Sequence, residues 1–162
     1  MFGVLLPTAV IFTGKYVDRM LSTPPFPQPP LNFLLGAAGL LTGYIFSLGS
    51  IVQLYQAGLG LPWGDIDDAA QSTRLVTTGL YRHTRNPMIF GTLCILAGFG
   101  CVVRSVTGMI LFPSAFAIML YAWVSRREGP ALEERFGQEY VDYKKNTPFL
   151  FPRPWRTQSK KE

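Results

Sequence analysis

Polar and apolar positions alternate along this chain in long blocks. Residues 2–21 are apolar until Lys15, Asp18 and Arg19 near their end. At helical rise they predict a first helix of about 30 Å, with those three charges near an interface. Residues 22–30 hold Pro24, Pro25, Pro27, Pro29 and Pro30, a spacing no helix accepts, and predict a stiff linker of extended polyproline type. Residues 31–55 predict a membrane span, and 56–86 a polar loop opened by Gly58, Gly60, Pro62 and Gly64. Residues 87–103 and 106–124 predict two further spans. The turn between them, around Arg104 and Ser105, is short enough to make an antiparallel hairpin. Pro113 is expected to kink the second of them, freeing a carbonyl one turn earlier. Residues 130–145 place Leu132, Phe136, Tyr140 and Tyr143 on one stripe among charged positions, which predicts an amphipathic helix starting at Pro130 and ended by Asn146 and Pro148. Phe149, Phe151 and Trp155, followed by a basic tail, have the pattern of a segment lying at a membrane surface.

These elements predict an all-α fold: an integral membrane helical bundle of about four transmembrane helices plus a C-terminal amphipathic interfacial helix. The chain reads as one membrane domain over 1–162. Composition agrees. Of 162 residues 48% are hydrophobic and 15% charged, against about 25% charged in ordinary soluble domains. Lys, Arg, Asp and Glu are absent between Arg85 and Arg104 and again between Arg104 and Arg126. Within 31–55, Gly39 and Gly43 form a GxxxG pattern, which lets a neighbouring helix approach closely. Packing inside one bundle and a dimer face both fit that pattern. The apolar start lacks a basic n-region and a small-residue cleavage site, so no cleavable signal is expected.

The net charge of +5 reflects flanks of apolar spans, and no interleaving of basic and aromatic residues suggests nucleic acid. With four spans, both termini share a side with the 56–86 loop. Arg74, Arg82, Arg85 and every Lys and Arg from Arg126 onward fall on that side, leaving Lys15, Arg19 and Arg104 on the other. The imbalance predicts a multi-pass protein with the loop and both termini in the cytoplasm. Cys94 and Cys101 lie about 10 Å apart along one helix face and cannot pair. Asp65, Asp67 and Asp68 read as a solvated acidic turn, because a calcium site needs about six or more oxygen ligands.

The chemistry is expected where loop 56–86 meets the helix at Pro87. Asn86-Pro87 is a helix-start signal, with Asn as the side-chain cap and Pro at the first position. The free N–H groups of that helix end favour an anion, next to Arg82 and Arg85. The hairpin returns the chain at about Val124, so Asn86 and Glu128 are expected near each other. His83, the one histidine, fits either a general base or a solvated loop residue. Nucleotide-loop, zinc-protease and serine-hydrolase signatures are all missing.

Leu75-Val-Thr-Thr-Gly-Leu-Tyr-Arg-His-Thr-Arg-Asn-Pro-Met88 resembles the "LVxxGxYxxxR(N/H)PxY" segment of integral-membrane methyltransferases, the isoprenylcysteine carboxyl methyltransferases and phospholipid methyltransferases. Glu128-Gly-Pro-Ala-Leu-Glu-Glu-Arg-Phe-Gly-Gln-Glu-Tyr-Val-Asp-Tyr-Lys-Lys-Asn-Thr-Pro148 is similar to their "EExxLxxxFGxEYxxYxxxxP" tail, and Gly58-Leu-Gly-Leu-Pro62 to a "GxGxP" that often precedes the first motif. The resemblance implies S-adenosylmethionine as cofactor, held by a core over 56–152, and methyl transfer to a lipophilic acceptor such as an isoprenylcysteine-type carboxylate or a lipid amine. It implies that Leu75, Val76, Tyr81, Arg85, Asn86, Pro87, Met88 and Glu128 bind the cofactor. Arg126 and Arg127 are the candidate substrate contacts, and no metal or catalytic side chain is assigned. The chain departs from the family pattern at Gly129, in place of the second Glu, and at Ile89, in place of the Tyr after the Pro. A membrane reductase with a nicotinamide cofactor and a non-catalytic protein on the same scaffold are the competing readings. Membrane lipid is the expected surrounding, and the residues set no oligomeric state.

Overall fold

The computed structural model describes residues 2–57 and 75–153. The acidic turn, the Gly58–Pro62 stretch, Arg74 and Trp155 lie outside the described residues. Helix α1 spans Phe2–Met20, α2 Leu31–Gln56, α3 Pro87–Val102, α4 Phe112–Trp123, α5 Gly129–Phe136 and α6 Gln138–Asn146. A 3₁₀ turn at Gly79–Arg82 precedes α3, and the described residues contain no strand. The helix ends expected from the apolar pattern fall within one or two residues of those observed for α1, α2 and α3.

The centre of the bundle is the antiparallel pair α2 and α3, and glycine decides how close they come. A Cβ placed on Gly91 would stand 2.6 Å from the carbonyl oxygen of Gly43, and one on Gly43 would stand 2.6 Å from that of Gly91. One turn further along, a Cβ on Gly39 would meet the Cα of Gly98 at 3.1 Å. The GxxxG pattern therefore serves packing inside the chain. Phe46 and Phe90 close the same interface edge to face, with ring centroids 4.8 Å apart. Outside it, the large apolar side chains of α2, such as Leu34, Leu41, Ile45 and Leu48, are exposed. Two helices, Leu31–Gln56 and Thr107–Phe136, are long and apolar enough to cross a membrane, and Pro87–Val102 is a shorter apolar helix. An exposed apolar belt on helices of that length suits a lipid surrounding.

The end of the bundle at the α3–α4 turn is tied by polar groups. Asn32 is buried and its side-chain amide donates to the carbonyl of Val102 at 3.2 Å. Arg104, with φ of +59°, turns the chain and contacts Gln28. Ser105 caps the returning helix, accepting from the N–H of Gly108 at 2.9 Å. Asp18 of α1 accepts from the N–H and the hydroxyl of Thr107, at 3.0 and 2.6 Å. Asp18 is thus buried against the hairpin and not spread at an interface, because the free N–H groups of a helix start attract a carboxylate. The proline-rich linker also differs from expectation. It folds into turns, with the Gln28 amide donating to the carbonyl of Pro25 at 2.8 Å and with Pro27 fully buried. Burial of Pro27 outweighs the extended preference.

The second arm of the hairpin runs further than the sequence pattern indicates. From Thr107 to Phe136 it is one continuous helix of 30 residues. Wide π turns at Thr107–Leu111 and Val124–Glu128 precede Pro113 and Pro130. A π turn shifts the hydrogen-bond register by one residue, so each proline enters without a clash that would end the helix. The predicted amphipathic helix over 130–145 is accordingly two pieces. Its first half continues α4, and the chain breaks at Gly137, whose φ of +54° and ψ of −131° suit glycine alone. Helix α6 then leads into a strap, residues 147–153.

Candidate functional site

The site region is assembled around the turn Gly79–Arg82, which is clamped from two sides. From α2, the side-chain oxygen of Gln53 accepts the N–H of Leu80 at 3.0 Å. Gly79 has a φ of +59° and lies so close to Gln53 that a Cβ would fall 2.3 Å from its amide nitrogen. From α6, the hydroxyl of Tyr143 donates to the carbonyl of Tyr81 at 2.6 Å. Between these clamps the Tyr81 side chain is half-buried and lies towards Ser50 of α2. Its hydroxyl is pushed up to about 12, chiefly by burial, with Ser50 opposing the shift and the charge of Glu128 adding to it. Burial also pushes the Tyr143 hydroxyl well above its ordinary value, with Tyr81 and Tyr140 adding to the effect and Arg85 opposing it. Tyr81, Tyr143, Arg85 and Glu128 therefore share one electrostatic neighbourhood, although they come from three separate stretches of chain.

The strap covers the next stretch, 83–86. The N–H of Arg85 donates to the carbonyl of Pro148 at 2.9 Å, and the N–H of Arg153 to that of His83 at 3.0 Å. The fully buried Thr84 hydroxyl reaches the carbonyls of Phe149 and Leu150 at 3.3 and 2.9 Å. Asn86 also holds the strap, its side-chain amide donating to the carbonyl of Phe149 at 2.9 Å. It makes no side-chain cap on α3, contrary to the expectation, and only its backbone carbonyl serves the helix, accepting from Phe90. The physical reason is that the strap presents carbonyls, which call for the amide N–H and not the oxygen. His83 likewise bonds through Nδ1 to the carbonyl oxygen of Arg153 at 2.9 Å, so its position is structural.

The remaining sequence candidates divide. Pro87 is buried at the start of α3, and Leu75, Val76 and Met88 are half-buried. Arg85 lies with its guanidinium carbon 5.5 Å from the centre of the Phe149 ring. Its Nε is buried without a hydrogen-bond partner among the described residues. Glu128 is exposed on the π turn and acts on Tyr81 through its charge, while Asn86 is turned to the strap. Arg126 and Arg127 are exposed on the π turn and stand outside this hydrogen-bonded cluster. The Gly129 that replaces a Glu of the family pattern is closely placed: a Cβ there would lie 3.2 Å from the carbonyl of Val124 and 3.9 Å from the hydroxyl of Tyr140.

Ser50 and Gln53 are not among the sequence candidates. A signal for them is present: Ser47, Ser50 and Gln53 recur every three residues through the last turns of an apolar helix, which is a polar stripe at helical spacing. Phe149 also differs from the surface anchor its sequence position suggests. It packs edge to face on Tyr121, with ring centroids 4.9 Å apart, because the strap hydrogen bonds draw it inward.

An all-helical membrane bundle whose last two helices and strap close over the turn before α3 belongs to a definite class. The family model for phospholipid methyltransferases matches residues 31–139, from the start of α2 into α6. The chain belongs to the phospholipid methyltransferase family, and that membership implies a membrane methyltransferase. It is also similar to a nickel-cobalt-cadmium resistance protein of Alcaligenes xylosoxydans xylosoxydans, 39% identical over 83 residues. That match covers 51% of this chain and 38% of the relative's length.

Proposed function

We propose that this protein transfers a methyl group from S-adenosylmethionine to a lipophilic acceptor, an isoprenylcysteine-type carboxylate or a lipid amine, at the cytoplasmic face of the membrane. The observation that supports the reading is that a carboxylate and a guanidinium act on two linked tyrosines, Glu128 on Tyr81 and Arg85 on Tyr143. Glu128, whose charge acts on the Tyr81 hydroxyl, suits an ammonium. Arg85, with a buried Nε that lacks a partner among the described residues, suits a carboxylate, as does the start of α3. An amino-acid zwitterion requires both, so the residues fit the cofactor's polar end.

When bound, the cofactor supplies an electrophilic methyl on a sulfonium, and the acceptor's lone pair displaces the thioether. The chain's residues need to align the two partners and keep water out. Tyr81, Arg85 and Glu128 hold the polar end, with Leu75, Val76, Pro87 and Met88 as the apolar surround. No strong acid–base pair is required. The core for this work is 56–152. In this reading the chain is one domain with four spans, and loop 56–86 and both termini are cytoplasmic. Arg126 and Arg127, exposed at the same end, meet the acceptor's headgroup, and the acceptor enters sideways from lipid.

The test is thermal stabilisation of the detergent-purified protein by S-adenosylhomocysteine or by NADPH. Stabilisation by S-adenosylhomocysteine, lost in Glu128→Gln and Arg85→Ala, is expected. Stabilisation by NADPH alone would end the methyltransferase reading in favour of a reductase, and stabilisation by neither would favour a non-catalytic scaffold.

A further inference from the structure

We propose that Gln53, on the apolar helix α2, is a positioning residue for the cofactor's amino-acid end, because it fixes the turn from which the chain runs through Tyr81 to Arg85. The proposal rests on the reading above and extends it to a helix outside the motif-bearing core.

A carboxamide near the end of an apolar helix needs a partner, since lipid offers none. Val52 and Tyr55 of the same helix are exposed, whereas Gln53 is half-buried. Its side-chain oxygen accepts the N–H of Leu80 at 3.0 Å. The first N–H groups of a helical turn have no acceptor within it. The other peptide groups here are met locally. The N–H of Tyr81 donates to the carbonyl of Thr78 at 3.1 Å, and the carbonyl of Leu80 accepts from His83 and Thr84 at 3.0 and 3.3 Å. Gln53 therefore supplies the bond that the turn cannot make for itself.

Two glycines make room for this contact. A Cβ on Gly79 would fall 2.3, 2.7 and 2.8 Å from Nε2, Cδ and Oε1 of Gln53, so the flat carboxamide lies against the bare Cα. The φ of +59° at Gly79 also favours glycine. One turn earlier on α2, a Cβ on Gly49 would stand 2.8 Å from Cδ1 of Leu80. Leu80 is thus gripped twice by α2, by its side chain over Gly49 and by its N–H at Gln53. Tyr81 follows directly in sequence, and a shift of the turn would carry it away from its place. Hydrogen bonds weaken steeply as their geometry opens, so a loosened turn costs ligand contacts before it costs the fold.

The experiment compares two ligands by calorimetry on the full chain in detergent. S-adenosylhomocysteine carries the amino-acid end, and 5′-methylthioadenosine lacks it. Gln53→Met keeps the length of the side chain and removes the acceptor. It should weaken S-adenosylhomocysteine about fivefold, the size of one hydrogen bond, and leave methylthioadenosine unchanged. Gln53→Glu keeps an oxygen for the Leu80 N–H and should bind like the wild type. Hydrogen exchange at Leu80 should quicken in Gln53→Met and not in Gln53→Glu. Gly79→Ala breaks the same contact from the other side and should show the same selective loss, with little added in the double variant. It decides the matter by the same comparison of ligands if Gln53→Met does not fold. An equal loss for both ligands, or Gln53→Glu as weak as Gln53→Met, would make Gln53 a packing residue and overturn the proposal. If the wild type does not bind S-adenosylhomocysteine, the cofactor reading fails and this inference falls with it. If the wild type binds it and Gln53→Met binds equally well, the inference alone fails.

Discussion

The hydroxyl of Tyr143 donates to the main-chain carbonyl of Tyr81 at 2.6 Å. This bond joins the amphipathic end of the chain to the turn before α3, across sixty-two positions of sequence. Tyr143→Phe removes it while keeping the ring. The expected outcome is a loss of about 1 kcal/mol in stability, the usual worth of one such bond. Weaker binding of S-adenosylhomocysteine should accompany it, since the turn carries Tyr81. A thermal melt in detergent with and without that ligand checks both, and an unchanged ligand shift would separate the C-terminal helix from the site.

Gly91 allows the close approach of α2 and α3. A Cβ at this position would sit 2.4 Å from the Ser47 hydroxyl and 2.6 Å from the carbonyl of Gly43. The serine side chain can rotate aside, but the carbonyl belongs to a helix and moves only if the helices separate. Gly91→Ala should therefore destabilise by about 1–3 kcal/mol, the range for an overpacked core, whereas Gly137→Ala meets nothing nearby and suffers only from its backbone angle. Denaturant titration of the two variants tests the contrast.

Asn86 and Thr84 are predicted to act on the strap. Asn86→Ala removes the donor to Phe149, and Thr84→Val removes the hydroxyl shared by Phe149 and Leu150. Hydrogen exchange should quicken at Arg153, whose N–H is held by His83, by roughly fivefold for each lost bond of about 1 kcal/mol. Exchange in the middle of α2 should not change. Equal acceleration in both places would mean that the strap and the bundle open together.

Tyr81 sets a pH dependence at the alkaline end. Its folded value of about 12 stands above the ordinary 10, so the folded state retains its proton where the unfolded chain has lost it. The associated stability is complete below about pH 10 and is lost as pH rises towards about 12. The stability difference between the wild type and Tyr81→Phe should shrink across that window. A difference that stays constant from about pH 9 to about 12 would show that the phenol titrates normally.

The sequence by itself determined where the first three helices are. Lipid demands long uncharged runs and internally paired backbone, and both leave plain marks, such as the empty stretch between Arg85 and Arg104 or the turn at Arg104 and Ser105. It also carried the two motif stretches that join this chain to its family, because those depend on residue type and spacing. Tertiary structure alone decided which polar group meets which. Asn86 has the composition of a helix cap, yet the strap carbonyls take its amide. Pro130 looks like a helix start, yet a π turn carries α4 through it. Asp18 looks like a surface charge, yet the start of the hairpin's second arm captures it. Gln53 ends a polar stripe on an apolar helix, yet only the fold shows that it holds the turn at Leu80. In each case the local preference is worth about 1 kcal/mol. A partner brought from dozens of positions away, in a setting without water, outweighs it.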